Sequence, residues 1–396
     1  MKSIVIDQKA IRIENRKRIL HLLSHEREQT ILDMSRELDI SIPTITKNIH
    51  QFIAEGIVEE AGMSASTGGR RPVIIRFLPE AYYSIGVECL AEQIVRIVVT
   101  DLDSRIIASD TMTRVDFKDM DGLMHEINRH ITTILRNRDI SIRKILGIGF
   151  SLPGTVDEET RFLHVSPTLK ITNIDFARYA SLFHLPIFVE NDANVSAMAE
   201  MALGVAKSMQ NLVFLCILTH GIGGGIVLDG HLYRGRNKRA GEFSHMMISS
   251  DGRLCSCGRR DCWELYASMK ALLRMYREAA GQSVPTIDDF FVRFESGEPA
   301  AAYVFDRYLE YLAAGIQNLI LMQDPHYIVL GGMLSRLDEM FLAPLQEKVF
   351  IEHALFNRDQ VKIVCSALKE DASVIGAALL PLERIYAEQE LVIDGQ

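Results

Sequence analysis

Residues 241–264 read GEFSHMMISSDGRLCSCGRRDCWE, and the rest of the chain is read outward from them. Half of the six cysteines fall within eight residues, as Cys255, Cys257 and Cys262, and His245 stands ten positions before the first. Three soft thiolates and one imidazole make a complete tetrahedral set. No position then remains open for a reactive water, which suits structural zinc. Gly252 and Gly258 let the backbone turn tightly around an ion. The alternative is three reduced surface thiols without metal, but thiols this crowded would be an oxidation liability. The spacing predicts zinc held by His245, Cys255, Cys257 and Cys262.

At 396 residues, 48% hydrophobic and 24% charged, the chain has the composition of a soluble protein with two or three domains. The opening MKSIVIDQKAIR lacks an apolar core segment, and no apolar run approaches the ~18 residues of a membrane span. A cytoplasmic protein with no membrane partner is expected. Cys89, Cys216 and Cys365 sit in apolar stretches and read as reduced core thiols.

The net charge of −9 argues against non-specific nucleic-acid binding, but it is unevenly spread. Residues 1–78 hold 12 Lys+Arg against 10 Asp+Glu, whereas the remainder hold 31 against 42. Only the first part can approach a polyanion.

That part has its own pattern. A helix is expected over 13–24, and Thr30 can cap a second in which Ile31, Met34 and Leu38 recur at helical spacing. Ser41 can cap a third, running to about Glu55 and stopped by Gly56. Ile42, Ile45, Ile49 and Phe52 lie on one face of it, and Pro43, Thr44, Lys47 and Gln51 on the other. Ile57, Val58 and Val73–Phe77 then form a hairpin tipped by AGMSASTGGRRP. Two short helices, a tight turn and a third helix with a small polar face make a winged helix-turn-helix. Ser41, Pro43, Thr44, Lys47 and Gln51 are the candidate DNA contacts of the third helix. Arg70 and Arg71 are those of the wing. A packing cap with a solvated basic loop is the competing possibility, but the outer face of helix three lacks the acidic residues of an idle surface.

From Tyr82 the pattern turns to strands: YYSIGVECL, IVRIVVTDL and RIIASDTM, a helix over 120–136, then a strand over 145–150. The β-β-β-α-β order recurs with strands over 211–218, 224–229 and 231–233, a helix over 299–323 and a strand over 327–330. Two mixed sheets flanked by helices and facing a cleft are expected, with a small ligand in the cleft.

From about Tyr82 to Leu380 this body resembles the ROK family (repressors, open reading frames and sugar kinases), within the actin-like ATPase superfamily. The resemblance rests on VENDANVSAMAE at 189–200, GIGGGIVLDGHLYRG at 221–235, the cysteine segment, and IVLGGMLS at 328–335. A winged helix-turn-helix before such a body is the layout of the family's repressors, such as those responding to xylose, N-acetylglucosamine or glucose uptake. It implies an α/β chain with a DNA-binding domain over 1–80 and a two-lobed body. Lobe one would span 81–195, completed by a C-terminal helix over about 372–396, and lobe two 196–371 with the zinc motif.

The resemblance also implies a sugar site. Asp192 matches the family's catalytic aspartate, and Asn191, Glu242, His245 and Glu264 match other sugar contacts. His245 can give one ring nitrogen to zinc and the other to a hydroxyl. Read without the resemblance, Asp192 could simply cap a helix. The phosphate cradle departs from the family. Where its kinases carry Asp-x-Gly-Gly-Thr, this chain has Glu88-Cys89-Leu90-Ala91-Glu92. Leu90 and Ala91 replace the glycines whose backbone would reach a phosphate, and Glu92 adds a repulsive charge. Thr219-His220-Gly221 stands where Gly-Thr-Gly is usual, and the glycines that follow could merely pack a hairpin. The expectation is a sugar-responsive repressor rather than an enzyme. It would bind an operator as a dimer or tetramer, with a sugar in the interlobe cleft. A sugar kinase bearing a DNA-binding head, or a repressor controlled by a sugar-transport protein, are the rivals.

Overall fold

The segment Tyr83–Leu90 buries nearly every side chain on both faces, as a strand does when covered on both sides. It is the centre of the first of two five-stranded sheets. The computed structural model describes residues 8–63, 72–207, 209–219, 221–351 and 355–386.

At the N-terminus, α1 (Gln8–Glu26), β1 (Glu28–Thr30), α2 (Ile31–Leu38) and α3 (Ile42–Ala54) precede β2 (Val58–Met63) and β3 (Val73–Phe77). Thr30 caps α2 through the N–H of Asp33. Ser41 stands at the cap of α3, but its hydroxyl meets that of Thr44 at 2.9 Å rather than a backbone N–H. The three strands pair antiparallel in the order β1-β3-β2, so β1 adds a strand to the hairpin expected from sequence. Ile45, Ile49 and Phe52 are buried as expected. Ile42 is not: it is 47% exposed, in an opening turn of α3 where Ser41 and Pro43 on either side are exposed as well.

The body begins with β4 (Tyr83–Leu90), β5 (Ile94–Asp101) and β6 (Ile106–Thr113), then α4 (Met120–Asn137) and β7 (Ile145–Leu152). A small antiparallel sheet follows, of β8 (Thr155–Asp157), β9 (Phe162–Ser166) and β10 (Ile171–Asp175). Next come α5 (Ala180–Phe183), β11 (Ile187–Asn191) and α6 (Asp192–Ala202). The large sheet has the order β11-β7-β4-β5-β6, an antiparallel meander joined to two parallel strands.

The second half repeats that plan. It runs β12 (Leu212–Ile217), β13 (Ile222–Leu228), β14 (His231–Leu232), α7 (Glu264–Ala267), α8 (Met269–Ala280), α9 (Ile287–Glu295) and α10 (Pro299–Gln323). Then come β15 (Tyr327–Gly332), α11 (Asp338–Val349), β16 (Lys362–Cys365) and α12 (Ala372–Tyr386). The sheet order β14-β13-β12-β15-β16 matches the first strand for strand. Each sheet has its own apolar core, one around Val87, Ile127 and Phe150, the other around Leu215, Trp263 and Ile316.

The last helix, α12, returns to the first sheet and packs on β4, β7 and α6. Glycines make the approach possible. A methyl on Gly86 would collide with the carbonyl of Val374, one on Gly149 with that of Ala377, and one on Gly376 with that of Val195. The other end of α12 enters the core of the N-terminal helices, where Leu382 and Ile385 join Ile19, Leu23 and Phe52. Among the described residues no helix is long and apolar enough to cross a membrane.

Candidate functional site

The parallel strand β11 ends at Asn191, and α6 starts at the next residue. Asn191 caps that helix: its Oδ1 accepts the N–H groups of Ala193 at 2.9 Å and Asn194 at 3.1 Å. Its Nδ2 donates to the carbonyl of Gly154 at 3.0 Å, tying the helix start to the turn before β8. Asp192 is the first helical residue and accepts from Ala193 N–H at 2.9 Å. Burial pushes its carboxyl up to about 6 against that hydrogen bond, and the nearby Glu242 carboxylate adds to the rise. A carboxyl that exchanges its proton near neutrality can accept or donate to a hydroxyl.

Glycines bring the 241–264 segment against this helix start. Gly223, Gly224 and Gly225 lie inside β13 rather than in a turn. A side chain at Gly224 would strike the carbonyl of Gly241 and the ring of Phe243, and one at Gly225 the carbonyl of Ala193 at 2.6 Å. Their smallness lets both the helix and the Glu242 segment touch the strand.

The four metal-ligand candidates converge. The ligand atoms of His245, Cys255, Cys257 and Cys262 lie within 4.8 Å of one another. Cys257 and Cys262 sulfurs are 3.6 Å apart, and His245 Nδ1 is 3.7 Å from Cys255 Sγ. Tetrahedral zinc with bonds of about 2.0–2.3 Å sets its ligand atoms about 3.5–3.8 Å apart, so the group fits a zinc ion. Such an ion would supply a closed structural cross-link. Glu264 stands beside the group, its Oε1 3.0 Å from Cys255 Sγ, and its Oε2 faces Gly221.

The loop carrying the cysteines is anchored by Asp261, which sequence reasoning passed over. Its carboxylate accepts the N–H groups of Gly252 at 2.9 Å and Arg253 at 2.8 Å, and the hydroxyl of Tyr266 at 2.6 Å. The Tyr266 hydrogen bond holds its carboxyl below the usual range. A lone acidic residue before a cysteine gives no sequence signal for this.

At the end of β4, Leu90 is a strand residue paired with Ile94, and the turn that follows carries side chains, with Gln93 at φ 59°. Glu92 is exposed there. Glu88, earlier on the same strand, is only 5% exposed. Burial raises its carboxyl to about 7, offset in part by Arg96 at 3.3 Å and reinforced by Asp192. Arg96 also donates to the carbonyl of Glu370 at 2.9 Å and pairs with Asp371, so protein groups bridge β5 to the start of α12. Thr219 spends its hydroxyl on Met333 Sδ at 3.5 Å. His220 lies outside the described residues.

On α3, Ser41, Pro43 and Lys47 are exposed, and Thr44 and Gln51 half-buried along the same side. Arg70 and Arg71 lie outside the described residues.

The ROK family model matches residues 84–384. The chain belongs to the ROK family. A xylose repressor of Bacillus spizizenii is 28% identical over 385 residues, covering 96% of this chain and 97% of that protein. A Thermotoga maritima glucokinase is 31% identical over 274 residues, covering 65% of this chain and 86% of the kinase. Among solved structures, a ROK family transcriptional regulator, a homologue of the Escherichia coli MLC protein, superimposes with a TM-score of 0.82. It covers 97% of this chain and all of its own, at 24% identity, which shows the shared fold.

Proposed function

We propose that this ROK protein is a sugar-responsive transcriptional repressor of carbohydrate-metabolism genes and not a sugar kinase. The observation that carries the reading is the likeness to xylose repressors along the whole chain, N-terminal helices included, where the glucokinase match covers 65% of it.

The N-terminal helices and hairpin act as a winged helix-turn-helix, with α3 in the major groove. Ser41, Pro43, Thr44, Lys47 and Gln51 face the DNA, and Arg70 and Arg71 reach it from the wing. The protein works in the cytoplasm as a homodimer or a tetramer on a two-fold-symmetric operator.

Asn191, Asp192, Glu242, His245 and Glu264 hold a monosaccharide or a derivative of one. The zinc held by His245, Cys255, Cys257 and Cys262 stiffens the wall that carries three of these five. His245 presents Nδ1 to the metal group, so its Nε2 serves the ligand. Beside β4, Glu88 and Asp371 both pair with Arg96, and the strand residue Leu90 takes the place of the glycine that would bring backbone close to phosphate. Phosphoryl transfer needs that cradle, so a bound sugar is sensed rather than consumed. The ligand favours one spacing of the lobes and thereby one affinity for DNA.

The test is to capture genomic fragments on the purified protein and elute them with single monosaccharides, while assaying ADP formation with ATP and the same sugars. Elution by one sugar without ADP release supports the reading. Steady ADP release with no DNA retained contradicts it.

A further inference from the structure

The loop between β14 and Glu242 crosses from the second lobe to the first and carries two cations that meet three carboxylates. Arg234 Nε donates to Glu190 Oε2 at 2.6 Å and lies 3.2 Å from Glu158 Oε1. Lys238 Nζ donates to Glu158 Oε1 at 2.8 Å and to Glu159 Oε1 at 3.1 Å. Glu190 belongs to β11 and is 1% exposed, and Glu158 and Glu159 follow β8, whose Val156 is part of the first lobe's core. The cations come after the edge strand of the second sheet.

We infer that Arg234 and Lys238 form an interlobe clasp, and that Arg234 is a positioning residue for the ligand site, acting through Glu190. The connection is direct. Glu190 Oε1 accepts the Asn191 N–H at 2.8 Å and Asn194 Nδ2 at 3.0 Å, so the carboxylate held by Arg234 also sets the cap of α6 and the start of the Asp192 turn. Separating the lobes would leave the carboxylate of Glu190 buried without its cation, a costly state. The Lys238 arm is more open to water and therefore weaker and sensitive to salt. Lys238 itself sits at φ 56°, a left-handed conformation that a lysine holds only when its surroundings fix it. One further feature marks the clasp as unsaturated. Glu158 Oε2 is buried and has no hydrogen-bond partner, so the closed loop retains an acceptor for a hydroxyl or a water.

The clasp holds the closed arrangement in which Glu242 stands near Asp192. Its consequence for ligand affinity rests on the sugar-site reading above, and its effect on lobe closure does not. The experiment is hydrogen–deuterium exchange of residues 153–160 and 233–242 in the full chain without ligand. Arg234→Gln and Lys238→Glu should each raise exchange in both segments about tenfold or more. Lys238→Arg, which keeps a cation against Glu158 and Glu159, should hold protection close to that of the unmodified chain. In the unmodified chain, moving from about 0.05 to about 0.5 M NaCl should loosen 233–242 selectively, a readout that needs no variant to fold. D-xylose, D-glucose and N-acetyl-D-glucosamine are then titrated, and whichever binds should bind Arg234→Gln about tenfold more weakly. Unchanged exchange in both single variants, Lys238→Arg as loose as Lys238→Glu, or salt-independent exchange overturns the clasp. If none of the three sugars binds but exchange follows this pattern, the clasp stands and the sugar assignment alone is contradicted.

Discussion

The guanidinium of Arg16, on the first helix, donates through Nε to the backbone carbonyl of Ile385 at 2.7 Å, across 369 positions of sequence. The same side chain is 1% exposed, pairs with Glu55 at the end of α3 and lies over the Phe52 ring at 4.5 Å. Tyr82 adds a hydrogen bond to the Glu55 carbonyl at 3.0 Å, and Arg27 pairs with Asp103 of the body. The N-terminal unit and α12 therefore share one core, and the unit is not tethered by a free linker. Since α12 also lies against α6, movement at the Asp192 helix has a packed route to α3.

Arg16→Met should lower stability by about 3–5 kcal/mol in urea denaturation, because Glu55 loses its buried counter-charge. Arg16→Lys should recover little of this, since one ammonium cannot reproduce the planar guanidinium's bonds to both partners. A loss below about 1 kcal/mol for Arg16→Met would show the junction to be merely in contact.

Gly224→Ala should cost about 1–3 kcal/mol, as the new methyl meets the Gly241 carbonyl and the Phe243 ring. It should also weaken monosaccharide binding, because the displaced segment carries Glu242 and His245. Gly230→Ala, at a turn with open space around it but φ 77°, should affect stability without touching binding. Thermal melts with and without sugar separate the two effects.

Purified protein should contain one zinc per chain by elemental analysis. Cys262→Ser should reduce that content and lower the melting temperature, as should prolonged chelation. Full stability after complete metal removal would contradict a structural ion.

Glu88→Gln gives a pH-dependent result whose sign is set by burial. Burial raises the carboxyl from its ordinary 4.5 to about 7. Below pH 4.5 the group is protonated in folded and unfolded chains alike, and the amide should match it. Between those values the unfolded chain ionises first, so the wild type loses stability as pH rises, and above pH 7 the loss is complete. The variant should then be more stable by about 1–3 kcal/mol at pH 8 and equal near pH 4.5. Equal stability at both pH values would mean the carboxyl is not strained by its site.

Much of this architecture was legible in the chain. Cysteine spacing picked out four ligand-type side chains, His245, Cys255, Cys257 and Cys262, and the fold does bring them together in a group that could hold a metal ion. The recurring strand order was visible because each meander is apolar and bounded by turns. Other features carry no local signal. Glu28–Thr30 is too short for alternation to show, and becomes a strand only through β3. Arg16 looks like one more cation in a polar helix until Ile385 reaches it. Gly223–225 resemble a phosphate turn, but close packing of α6 and the Gly241 carbonyl demands the same residues within a strand. Arg234 and Lys238 find Glu190 and Glu158 at sequence separations of 44 and 80, pairings that no spacing rule predicts.

The central claim, that cleft occupancy by a sugar is reported to a DNA-reading head, is tested most directly by fluorescence anisotropy. Labelled duplex from the promoter of this chain's own gene is titrated with protein, with and without a monosaccharide that raises its melting temperature. The account predicts specific binding whose affinity the sugar shifts about 5- to 150-fold in the wild type and leaves unchanged in Asp192→Ala. Absence of duplex binding, or an equal sugar effect in wild type and Asp192→Ala, would contradict it.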